Sequence, residues 1–295
     1  MESAYNCEGY FDHYHLTGTE LASLSDIVKK RKSGSTTSSG MDRYEFVLTP
    51  NFGFLASPEP LLKDCELKLS FDRSSWQTVL TEYASVTTAC TKLEIKDCYA
   101  ITEYVSSPLY RDYFSTIESA PMIYNYDECD VLIKSIPLNE TEVRFDNIRG
   151  GNTPAYIFAG IISQGNLNGN KDSSSTRFTC NHVEEFNILL NGNSVSGFPI
   201  SVNNSCPVFP MYKFLEVTDR IHNVNCGRTL NMNEFNNNWI WAYKSEAEAS
   251  IQGWTSISFK LKQAFTEPTN LVVWIINDVT LTIDKFHAVE KISNL

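Results

Sequence analysis

Ala155-Tyr-Ile-Phe-Ala-Gly-Ile-Ile162 decides the reading of the fold. Pro154 bounds this apolar run on one side and Gly165-Asn166 on the other. It is strand-sized, and its apolarity is continuous where a half-buried strand would alternate. A run of this kind reads as a strand covered on both faces, by another layer or by a subunit.

Moving outward, Phe186-Asn-Ile-Leu-Leu190 leads into Asn191-Gly192, a pair that tolerates positive φ at both positions and so predicts a tight hairpin. Val131–Ile136 and Glu142–Phe145 read as strands joined by Pro137–Thr141. Trp239–Tyr243, Ser256–Leu261, Leu271–Ile276 and Val279–Ile283 read as further strands. Pro210–His222 carries Tyr212, Leu215 and Ile221 at helical spacing, with Asp219 and Arg220 facing outward, and predicts a helix. About eight short strands with polar turns and one appreciable helix predict an all-β sandwich or jelly roll.

Upstream, period-two alternation marks Tyr44–Leu48, Cys65–Phe71 (through Leu67, Leu69 and Phe71) and Leu93–Ile101. The stretch Ser33–Gly40 has no apolar side chain to bury and predicts a mobile loop. A Pro-, Ser- and Tyr-containing linker runs from about Ser106 to Tyr126. These features predict a flexible N-terminal segment (1–43), a partial first jelly roll plus linker (44–120) and a complete second jelly roll (121–295).

The net charge of −11, from 35 acidic and 24 basic residues, repels phosphate backbones and predicts no direct contact with nucleic acid. Met1–Asp12 contains no apolar run behind a basic start, and no stretch approaches the ~20 apolar residues of a membrane span. The chain is therefore expected to be soluble, not secreted and not membrane-bound. Its eight cysteines include no C-x-x-C pair, so thiols are expected in place of disulfides. The sequons at Asn139 and Asn203 then have no meaning.

Catalytic patterns are missing from the sequence. A cupin-type metal site needs several histidines and a carboxylate converging in the barrel. Here His13 and His15 alone stand two apart, and His182, His222 and His287 are isolated. No G-x-S-x-G motif occurs. Gly150-Gly-Asn-Thr-Pro154 lacks the Lys-Ser/Thr pair of a phosphate loop and reads as a turn. Glu184-Glu185 and the Glu140/Glu142 pair read as solvated strand-edge charges, and Lys29–Lys32 as a solvated basic patch. No catalytic residue, no cofactor and no metal is expected.

Phe145–Pro154, Ile157–Gln164 with Asn168-Gly169, Val183–Gly192 and Asn270–Ile283, in that order, resemble the C-terminal jelly roll of the double jelly-roll major capsid proteins of Polinton-like viruses (adintoviruses), a family with uncharacterised virus-derived relatives in animal genomes. Leu61–Tyr104 is similar to the closing strands of the family's first jelly roll. The resemblance implies a capsid-like structural protein that self-assembles through jelly-roll edges and loops. Its partners would be further copies, as a trimer, and other capsid proteins, in the virion or in the host cytoplasm or nucleus. Too few residues precede Pro121 for a full first jelly roll, as in a truncated or domesticated copy, and Trp239–Tyr243 replaces the family's aromatic-acidic strand. Trp239, Trp241, Tyr156, Phe158 and Ile162 are the candidate interface or core positions. An alternative from another class is a lectin-like β-sandwich module recognising a glycan or protein through Asn166–Asn170 and Asn231–Asn238.

Overall fold

A computed structural model describes residues 53, 66–70, 98–99, 121–169, 177–178, 182–202, 208–221, 232, 235, 239–245, 252–284, 286 and 288–293. The chain divides into two units, Met1–Ala56 and Ser57–Leu295, and the architecture below belongs to the second. The Ser33–Gly40 loop, His13, His15, Lys29–Lys32 and the Tyr44–Leu48 strand lie outside the described residues. Glu66–Ser70 correct one expectation: they form no strand and are exposed throughout, Leu67 and Leu69 included. Their alternation has no covered face to point into, and period two alone does not make a strand.

Two five-stranded sheets make up the sandwich. The first holds β1 (Met122–Ile136), β3 (Tyr156–Ser163), β7 (Trp241–Lys244), β9 (Thr269–Ile283) and β10 (Val289–Ser293). The second holds β2 (Glu142–Asn152), β4 (Val183–Leu190), β5 (Asn193–Ser194), β6 (Ile200–Ser201) and β8 (Gln252–Leu261). Their orders are β1-β9-β3-β7, with β10 also on β9, and β2-β8-β4-β5, with β6 also on β4. Every pairing is antiparallel. The chain changes sheet at each step from β1 to β4 and again from β7 to β9, which is the strand order of a jelly roll.

Alternation along β3 explains its unbroken apolarity. Ile157, Ala159 and Ile161 pair with Ile275, Val273 and Leu271, and all six are fully buried on the inner face. The other face is covered as well, because Ile162, Phe178 and Val272 form a separate buried cluster there. Gly160 lies beneath the Phe178 ring, where an added Cβ would sit 2.6 Å from Cδ1. Phe178 in turn meets Trp274 edge-on at 5.4 Å. Gly160→Ala is therefore expected to displace the Phe178 ring and lower stability by about 1–3 kcal/mol, an overpacking cost. Urea unfolding reads this out, and in a Phe178→Ala background the same substitution should cost close to nothing.

Across the sandwich an aromatic stack joins the sheets. Phe186 of β4 stacks on Trp241 of β7 at 4.2 Å and 8°, and on Phe259 of β8 at 6.0 Å and 10°. From Trp241 the contacts run through Trp239 and Phe235 to Phe214. Phe214 sits on helix α2 (Val208–Val217), which packs on β7. These large rings add their burial to the aliphatic core around them.

Several bounds differ from the sequence reading. Helix α2 ends at Val217 rather than His222 because Asp219 takes φ 55, with Asp219 N–H donating to Glu216 O and Arg220 N–H to Leu215 O. That is a Schellman end, and it leaves Asp219, Arg220 and Ile221 outside the helix. A short helix α1 (Gln164–Asn168) follows β3, where only a turn was expected, with Ser163 Oγ accepting from Asn166 N–H. Gly150 and Gly151 belong to β2, paired with Trp254 and Gly253, so the turn is confined to the residues after Asn152. The Asn191-Gly192 hairpin forms as expected, with φ 53 and 81 and with Leu190 opposite Asn193.

Leu271–Ile276 and Val279–Ile283, read as two strands, are one. Asn277 and Asp278 carry β9 across the gap because Glu128 and Asp127 of β1 pair opposite them. The same pairing draws Met122–Tyr126, read as linker, into β1. Over this outer part of the ribbon Met122, Tyr124, Val279 and Ile283 form a buried set apart from the sandwich core.

Candidate assembly surface

Among the described residues β1 pairs on one edge alone, with β9, and it carries apolar side chains on the outer face of the first sheet. Val131 lies opposite Trp274 and Ile133 opposite Val272, and the two are 53% and 51% exposed. They continue the outer cluster of Ile162, Phe178 and Val272, against which Trp274 packs partly buried. The result is an apolar strip running from covered to open along one sheet face. Contiguous exposed apolar surface of this kind marks contact sites more often than scattered single residues do.

The strip has a polar boundary. Asn270, buried on the same face, accepts from Ser135 Oγ at 3.1 Å and donates to Gln164 Oε1 at 2.6 Å, so both ends of its amide are satisfied. On the inner side of the ribbon Lys291 Nζ lies 2.7 Å from Glu128 Oε1, and Arg149 of β2 bonds Asp130. The Glu128 bond is the main cause holding the Lys291 ammonium above its ordinary range. Arg149 reaches Asp130 because a register shift between Phe145 and Arg149 re-aims the end of β2. In that bulge Asn147 takes φ 48 and donates its N–H to the buried Ser256 hydroxyl at 3.2 Å.

A second feature sits at one end of the other sheet. Trp254 is 51% exposed beside a shallow hollow lined by Asn152, Thr153, Asn191 and Gly253. Asn191 Oδ1 accepts from Trp254 N–H at 3.0 Å and lies 1.8 Å from where a Cβ on Gly253 would be, so a side chain at 253 would have to displace the Asn191 amide and break that bond.

The five candidate residues separate between the faces of the first sheet. Trp241 is fully buried in the core and Trp239 nearly so, and neither indole N–H has a hydrogen-bond partner among the described residues. Ile162 is buried in the outer cluster. Tyr156 and Phe158 are part-buried, Tyr156 beneath Lys244 Nζ at 5.5 Å and Phe158 edge-on to Phe214 at 6.3 Å. Val131 and Ile133, which open this surface, were passed over in the sequence. Among the described residues β1 is an edge strand, and sequence alternation cannot reveal which strand is an edge.

Little reactive chemistry accompanies these surfaces. Among the described residues no group of three or more His, Cys, Asp or Glu could hold a metal ion. The exposed Cys129 thiol is pushed up by burial of its surroundings, which lowers its thiolate fraction and hence its nucleophilicity. His182 lies edge-on to Phe265 at 5.2 Å, a packing contact. His222 and His287 lie outside the described residues. Among the described residues no helix is long and apolar enough to cross a membrane.

The sequence matches no protein-family model and no curated protein. Among solved structures, a chain of the Sputnik virophage aligns with 10% identity and a TM-score of 0.38, covering 59% of this chain and 39% of that one. The mavirus major capsid protein aligns with 9% identity and a TM-score of 0.35, covering 59% and 42%. PBCV-1 VP54, fitted into a reconstruction of Sputnik, aligns with 10% identity and a TM-score of 0.40, covering 64% and 55%. This chain thus spans about half or less of each of those chains, and the assignment of a jelly roll rests on its own strand order.

Proposed function

We propose that this chain is a capsid-like structural protein, related to the major capsid proteins of Polinton-like viruses, whose copies assemble side by side through the β1 edge and the outer face of the first sheet. The carrying observation is the exposed Val131–Ile133 strip, continuous with a buried apolar cluster on a jelly roll. The sequence resemblance supports the same reading, with further copies and other capsid proteins as partners and the virion as its place of action. Apolar burial at a seam with a polar rim is the usual anatomy of such contacts. Neither the strip nor the strand order requires a substrate, so the protein is read as non-enzymatic.

Size-exclusion chromatography with light scattering on the full chain tests this reading. Trimers or larger closed assemblies are the expected result, and a monomer at all accessible concentrations would refute it. The exposed Trp254 beside Asn152, Thr153 and Asn191 favours a second reading, a lectin-like module, since an open indole face flanked by amides suits a sugar ring. A monomer that binds on a glycan array, and loses binding in Trp254→Ala, would establish that reading.

A further inference from the structure

Strand alternation sorts the acids of β1 onto opposite faces of the β1–β9 ribbon. Glu128 and Asp130 face inward to Lys291 and Arg149. Asp127 faces outward and is exposed, and the residue directly across from it in β9 is Asp278, exposed as well. From β1, Asn125 and Cys129 share that face. From β9 the neighbours on it are Ile276 and Thr280, with Thr280 Oγ1 donating to Asn125 Oδ1 at 2.8 Å. From β10 the one charged group on that side is Glu290, paired farther along with Thr282. Among the described residues of β1, β9 and β10, no Lys or Arg shares the outer face with the acid pair, and Lys291 is paired on the inner side. Like charges directly opposite each other weaken a strand pair.

We propose that Asp127 and Asp278 form a proton-dependent clasp where the β1–β9 ribbon leaves the sandwich. In acid the two carboxyls share a proton and hold the strands together. As pH rises that proton passes to solvent, two carboxylates remain face to face, and the outer ribbon loosens while the sandwich stays folded. The electrostatics agree in sign: burial first, then the charge of Asp278 and the hydrogen bond to it, hold the Asp127 carboxyl above its ordinary range. The folded ribbon therefore keeps a proton that the open ribbon releases. Its stabilisation is complete below the ordinary carboxylate value and is lost as pH rises through the folded value.

Hydrogen–deuterium exchange on the full chain, corrected for the intrinsic pH dependence of exchange, reads the ribbon separately from the core. In the native protein, protection of Met122–Cys129 and Ile276–Ile283 should fall as pH is raised from about pH 4 to about pH 7, across the range above the ordinary carboxylate value. Protection of β8 should not change. Asp127→Asn and Asp278→Asn, each at the same outer-face pair, should both flatten the ribbon profile. A native profile that is flat, a slope that survives in both variants, or a β8 slope equal to that of the ribbon would overturn the clasp.

Discussion

Trp241→Ala is expected to lower the unfolding free energy by about 3–5 kcal/mol, near the upper end of what one core truncation costs. Trp241 is fully buried, stacks on Phe186 of the facing sheet at 4.2 Å, and leads through Trp239 and Phe235 to helix α2. Truncation removes apolar burial and leaves a cavity between two sheets whose backbones are held by their own ladders, so collapse around the gap is limited. Trp241→Phe should behave differently. It keeps a ring against Phe186 and removes a buried indole N–H that has no partner among the described residues, so its cost should be under about 2 kcal/mol, a residual cavity offset by relief of the unsatisfied donor. Urea unfolding of both variants checks the pair, and equal losses in the two would mean that the stack is not what joins the sheets.

The second large effect concerns assembly. Under the proposed assembly, the double variant Val131→Glu/Ile133→Glu is expected to run as a monomer at concentrations where the native chain runs as an oligomer. Placing unpaired carboxylates in an apolar seam costs several kcal/mol, and about 4 kcal/mol already weakens association by roughly a thousandfold. Both positions are about half exposed within the chain, so the fold itself should change little. Light scattering and thermal unfolding measured together separate the outcomes: an unchanged oligomer places the seam elsewhere, and a large drop in thermal midpoint would mean that these residues act within the fold.

Much of the sandwich was legible because its strongest signals are local. The continuous run ending at Ile162, the Asn191-Gly192 hairpin and the Ser256–Leu261 strand depend on side-chain pattern and turn chemistry within a few residues. What escaped depends on partners distant in sequence. Asn277-Asp278 reads as a break until Glu128 and Asp127 are seen opposite them. The strand β10 has no hairpin turn of the Asn-Gly kind before it and is recognised by its pairing with β9. Gly150-Gly151 looks like a turn, yet it lies in β2 because Gly253 and Trp254 supply its ladder partners. The exposed apolar strip escaped for the same reason: Val131 and Ile133 read as ordinary strand residues until the sheet order places β1 beside β9 alone among the described residues. The clasp needs the register as well, since a one-residue slip would part Asp127 from Asp278.

The position of β9 governs the order in which the molecule can be built. It lies between β1 and β3, as β8 lies between β2 and β4, so each sheet waits for a strand synthesised after its neighbours. A nascent chain that has reached α2 holds β1 and β3 of the first sheet and β2, β4, β5 and β6 of the second, with gaps between β1 and β3 and between β2 and β4, and these unfilled ladders stay open to other chains. Folding on the ribosome should accordingly be late and nearly all-or-none, with the passage from Gln252 to Ile283 as the step that fills the central gap of each sheet.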